Sequence, residues 1–131
     1  MKQAIRPPDV LMKIKTLALL FLLFILLVII AADAGGMPAP IRALYSFPNG
    51  DRLGHFILYG ILAFLLASAF PRPLTWMHLS VPVVIVALVV FAAAEEYSQR
   101  FFATRTSDIV DLTCSCIGIL CGTWLASRRK R

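Results

Sequence analysis

Apolar residues fall in four nearly unbroken runs, parted by shorter segments that carry most of the charge, Gly and Pro. Thr16 to Ala32 holds no charge, no Gly and no Pro. As a helix it rises about 25 Å, enough for one bilayer crossing with slight thinning. Gly54 to Phe70 is stopped by Pro71 and Pro73. Val81 to Ala94 tolerates Pro82 in its first turn, and Leu112 to Ala126 precedes a basic tail. The last two runs are too short if they end at their charges, because they would rise only about 21–22 Å against a hydrocarbon core near 30 Å. The third helix is therefore expected to continue through Glu95, Glu96 and Gln99, and the fourth to begin near Ser107 or Asp108. Asp33 to Arg52, with Gly35, Gly36, Pro38, Pro40, Pro48 and Gly50, reads as an ordered or interfacial loop. The expected fold is all-α, an integral membrane bundle of four transmembrane helices in a single domain over 1–131, with spans near 16–32, 54–70, 80–102 and 107–126.

Composition makes the bilayer the solvent. The chain has 131 residues, 60% hydrophobic and 15% charged, where soluble domains run near 45–50% and about 25%. One soluble core of this size could not hide so many aliphatic side chains. The net charge of +6 would suggest nucleic acid if it formed one patch, but Lys2, Arg6, Lys13, Lys15 and the Arg128 to Arg131 tail each flank an apolar run. No nucleic-acid partner is expected. The basic groups are topology signals that also touch anionic headgroups of membrane lipids. With the N-terminus, the Pro71 to Ser80 loop and the tail on one side, that side holds nine of the 13 Lys and Arg. The positive-inside rule then puts both termini in the cytoplasm of a bacterial plasma membrane. Asp33, Asp51, Glu95, Glu96, Asp108 and Asp111 face the outside. The first span reads as an uncleaved anchor, although Ala32-Asp33-Ala34 has the form of a signal-peptide cleavage site. Cys114, Cys116 and Cys121 lie on one helix at spacings that exclude a disulfide, and read as small packing residues.

A carboxylate below the headgroup layer is costly and should face protein, so the acids are expected to converge. His55 opens the second span with Tyr59 one turn on, and Glu96 and Gln99 share a face of the third. Asp108, Asp111, Ser115, Gly118 and Gly122 form one stripe, polar outside and small inside, whose G-x-x-x-G admits a close helix. Gly60, Ala63 and Ala67 offer the matching stripe on the second span. The first span, apolar throughout, reads as a lipid-facing brace. Arg105 and His55 are the expected partners of the acids, while Arg100 is expected to point outward. Trp76, His78 and Trp124 read as an inner interfacial belt, and Phe101 and Phe102 as outer headgroup contacts.

These residues resemble a known family. Asp51-Arg52-x-x-His55-Phe56-x-x-Tyr59 is similar to the D-K-x-x-H-F-x-x-Y opening of VanZ-like membrane proteins, with Arg52 for Lys. Glu96, Gln99, Arg105 and Asp111, followed by Ser115 and Gly118, resemble the second motif, E-x-x-Q-x5-R-x5-D-x-x-x-N-x-x-G, with Ser115 for Asn. The likeness covers residues 51–122. It implies a small helical membrane bundle and a link to teicoplanin susceptibility, the trait for which the family is named, and carries over His55, Tyr59, Glu96, Gln99, Arg105 and Asp111.

Three functions are compatible with such a cluster. An outward-facing polar pocket would bind or modify a cell-envelope component, lipid-linked or glycan. As an enzyme it would use His55, Glu96 and Asp111 for proton transfer, with Tyr59, Gln99, Arg105 and Asp108 binding the ligand. His55 with Glu95 and Glu96 also offers a divalent-metal set, though no cofactor is specified by any motif. As a binding module it would hold a headgroup without chemistry. As a scaffold, the polar network would only dock helices, with Ser115, Gly118 and Gly122 packing them. No inverted repeat suggests a transporter.

Overall fold

A computed structural model describes residues 7–36, 39–45, 50–70, 73–76, 79–102 and 108–129. Helix α1 runs Pro8–Asp33, α2 Ala39–Tyr45, α3 Gly50–Ala69, α4 Val83–Ser98 and α5 Ile109–Arg129. A 3-10 turn, Gln99–Phe101, extends α4. The fold is helical as expected, with one addition. Between α3 and α4 lies a two-stranded antiparallel hairpin, β1 Pro73–Trp76 and β2 Leu79–Pro82, with Pro73 opposite Pro82 and Trp76 opposite Leu79. It takes the start of the expected third span, so α4 begins at Val83 rather than near residue 80.

Three helices, α1, α3 and α5, are long and apolar enough to cross a membrane, whereas α4 has only 16 residues. Two boundaries move outward from the expected spans. α1 starts at Pro8, where a proline suits the first turn, and so carries Lys13 and Lys15 on the helix. α3 starts at Gly50, four residues early, and the expected loop before it contains α2. α1 ends where the glycines predicted a break. Gly35 adopts φ 72°, and the amides of Gly36 and Gly35 donate to the carbonyls of Ala31 (2.9 Å) and Ala32 (3.1 Å), capping the helix.

The core is the α3–α5 seam, the most extensive contact in the molecule. A Cβ on Gly118 would strike the Phe56 carbonyl, and one on Gly122 would strike the Gly60 carbonyl and meet the Phe64 amide nitrogen at 3.0 Å. Residues about 60 apart in sequence thus face each other all along the seam, so α3 and α5 run parallel. α4 therefore returns from the hairpin end to the end where α3 and α5 begin. α1 is antiparallel to α3: Lys15 Nζ lies 5.3 Å from the ring of Phe70, just beyond the far end of α3.

Leu62, Ala63, Leu88, Ala92 and Ile119 fill the interior. α1 buries only Ala18 and Ile25 and leaves Leu19, Leu20, Leu23, Leu27 and Ile30 uncovered by protein, as expected of a lipid-facing brace. The cysteines depart from the packing role: Cys114 and Cys116 are half-buried and Cys121 is exposed. Trp124 and Phe101 are exposed, Trp124 lying under the Arg128 guanidinium at 5.0 Å. His78 and the side chain of Trp76 lie outside the described residues.

Candidate functional site

Two carboxylates organise the beginning of α5. Asp108 is its N-cap: Oδ1 accepts the Val110 amide at 2.9 Å, and the carbonyl accepts the amides of Asp111 (3.1 Å) and Leu112 (3.3 Å). The Asp108 amide in turn donates to Glu96 Oε1 at 2.6 Å, so a residue of α4 anchors the start of α5. Both negative charges sit at the positive end of the helix dipole.

Glu95 and Glu96 are adjacent on α4, and both are buried, at 8% and 4% exposure. Helical geometry aims them about 100° apart, which only a position wedged between two neighbouring helices can bury together. Gln99, 2% exposed, donates from Nε2 to Glu95 Oε1 at 2.6 Å. Across from them, His55 Nδ1 lies 3.1 Å from Ser115 Oγ, and that hydroxyl donates to the Asp111 carbonyl at 3.1 Å. A serine has one proton, so here His55 Nδ1 carries the N–H and Nε2 the free lone pair. The His55 ring stacks almost parallel, at 5°, on Tyr59, centroids 6.2 Å apart. Tyr59 is itself buried against Phe91.

The structure thus gathers His55, Tyr59, Glu95, Glu96, Gln99, Asp111 and Ser115 at one end of α3, α4 and α5, with Asp108 at the edge. Donor atoms of His55, Glu95 and Glu96 all lie within 4.8 Å of one another, the spacing of a set able to close on a metal ion. Gly118 and Gly122 pack the seam one and two turns further on. Arg105 and the side chain of Asp51 lie outside the described residues. Arg100 faces outward over Tyr97.

Sequence reasoning missed the cation the structure does place here. Arg52 reaches Asp108 Oδ2 at 3.6 Å and Asp111 Oδ1 at 3.9 Å, half exposed at the rim. The signal was available, because Arg52, His55 and Tyr59 are spaced by three and four and share one face of a helix that begins at Gly50 rather than Gly54. Glu95 was expected only as a possible ligand; its burial equals that of Asp111.

No curated protein and no solved structure matches the chain. The family model described as VanZ/LLP1 matches residues 14–130, taking in all the long helices and both halves of the polar cluster. The chain belongs to the VanZ/LLP1 family.

Proposed function

We propose that this VanZ-like protein binds, and in one variant of the reading modifies, the polar head of a cell-envelope molecule at an outward-facing site in a bacterial plasma membrane. The observation that carries the reading is the burial of His55, Glu95, Glu96, Gln99 and Asp111 together, drawn from three helices whose remaining surface is apolar. Polar groups at membrane depth are costly and face a function or one another.

The character of the site favours a particular class of head. Among the described residues it presents four carboxylates, those of Glu95, Glu96, Asp108 and Asp111, against Arg52 and His55. Such an acceptor-rich site suits hydroxyl or ammonium donors, as on a glycan or amino-bearing headgroup, carried on a lipid whose tails lie along the bundle. Arg105, the family-motif cation, serves as the anchor for any phosphate on that molecule. The transporter and nucleic-acid readings have no support in the cluster.

The proposed topology has four crossings with both termini cytoplasmic. α4 and its 3-10 turn form one helical stretch, Val83 to Phe101, about 30 Å long. Because α3 and α5 run parallel, the chain between them has to cross back, and this stretch makes the return.

The test is genetic and biochemical. His55→Ala, Glu96→Gln and Arg105→Ala, expressed at wild-type level, should abolish any change in teicoplanin susceptibility that the wild-type chain confers. Native mass spectrometry of detergent-purified wild type should show a retained lipid-linked species that Glu96→Gln loses. Variants that accumulate normally, keep the phenotype and keep the adduct would leave a helix-docking network in its place.

A further inference from the structure

His55, Glu95 and Glu96 have the makings of a cation site independent of the envelope ligand. The set is mixed, one imidazole from α3 and two carboxylates from α4, and their donor atoms already lie within 4.8 Å of one another. Around a tetrahedral ion bound at about 2.1 Å, donors stand about 3.4 Å apart. Side-chain rotation alone spans the difference.

A second observation concerns how each donor is held from outside the set. Ser115 Oγ engages His55 Nδ1, leaving Nε2 as the ring nitrogen for an ion, and Tyr59 stacks on the ring to fix its plane. Gln99 Nε2 holds Glu95 by Oε1, and the Asp108 amide holds Glu96 by Oε1. Each carboxylate keeps its second oxygen for coordination. Partners that orient the far side of every ligand are the usual support of a metal centre. A divalent ion would also neutralise two adjacent carboxylates 8% and 4% exposed, where ionised groups are most costly.

We infer that His55, Glu95 and Glu96 bind one divalent cation of the manganese or zinc class. One nitrogen and two carboxylate oxygens match ions that accept both donor types. The three described ligands leave coordination positions open for water or for a hydroxyl of the envelope ligand.

The experiment uses the full chain in detergent, stripped with EDTA and titrated with Mn²⁺ under electron paramagnetic resonance, then with Zn²⁺ under elemental analysis. The expected result is one ion per chain, with nitrogen coupling in the Mn²⁺ spectrum that disappears in His55→Ala. Glu95→Gln with Glu96→Gln should remove binding. Ser115→Ala, which keeps all three donors, should weaken it about 10- to 100-fold and serves where the ligand variants fail to fold. No binding up to millimolar ion, binding without nitrogen coupling, or binding equal in the double variant would overturn the site. Because the retained lipid is read on EDTA-stripped protein, a lipid adduct without metal binding sinks this inference and leaves the envelope reading standing.

Discussion

The two ends of the α3–α5 seam are built from the same pair of helices by opposite means. At the inner end Gly60, Gly118 and Gly122 remove side chains, so backbone lies on backbone and shape alone sets the distance. At the outer end His55, Ser115 and Asp111 fill the same interface with hydrogen bonds. The first makes the second possible: Gly118 lies one turn from Ser115, and only helices held this close let Ser115 Oγ stand 3.1 Å from His55 Nδ1. The difference separates tolerance from function. A glycine seam has no slack and no chemistry, whereas a polar seam tolerates isosteric change but loses its chemistry when one group goes.

The largest effect should come from closing the gap at the inner end. Gly122→Val places a branched side chain against the Gly60 carbonyl, where backbone cannot yield. Overpacked cores usually lose about 1–3 kcal/mol, and this site belongs at or above the top of that range. Thermal unfolding in detergent should show little or no folded protein. Gly60→Ala, whose Cβ would meet the Gly118 carbonyl at 3.3 Å, should be far milder. Equal stability of Gly122→Val and wild type would end the claim that shape alone sets the inner seam.

At the outer end Glu96 comes next. Glu96→Ala takes the acceptor from the Asp108 amide and should cost about 1–3 kcal/mol. Glu96→Gln keeps an acceptor and should cost much less while still abolishing function. If the two variants were equally unstable, the carboxylate charge, not the hydrogen bond, would be holding the start of α5.

How much of this was legible beforehand follows from what each feature depends on. The glycine seam was legible, because Gly118, Gly122 and the Gly60, Ala63, Ala67 stripe are facts of spacing on single helices. So was the extension of α4 through Glu95, Glu96 and Gln99, since hydrocarbon thickness leaves no shorter solution. The hairpin was not, because strand pairing between 73–76 and 79–82 is a contact between segments whose prolines read only as breakers. Helix α2 was hidden in the same way, by Pro38 and Pro40 at its start. The Arg52 bridge went unseen because its partners are decided by which helices are neighbours, and no spacing within α3 reveals α5. The burial of Glu95 beside Glu96 likewise depends on α4 packing against two elements at once.

Ser115→Ala isolates one polar contact of the seam without touching its shape. Intramembrane hydrogen bonds average about 0.6 kcal/mol, and the loss should be of that order. The melting change should be small beside that of Gly122→Val, while the His55 ring, freed from Oγ, should lose its fixed tautomer. Nitrogen NMR of His55 would report this, and an unchanged spectrum would mean that Tyr59 stacking alone orients the ring.

Arg52→Ala should do least to stability and is the sharpest test of where the polar region ends. Its contacts with Asp108 and Asp111 are 3.6 and 3.9 Å long, and its side chain is 44% exposed. Such pairs contribute about 0.2–1 kcal/mol and weaken as salt screens them. A double-mutant cycle with Asp111→Asn should give a coupling in that range, falling between low and high salt. Asp111, only 12% exposed, then marks the boundary: it answers to Arg52 on its wet side and shares a helical turn with Ser115 on its dry one. A coupling that stayed large at high salt would place Arg52 inside the buried network and extend the site one turn further out along α3.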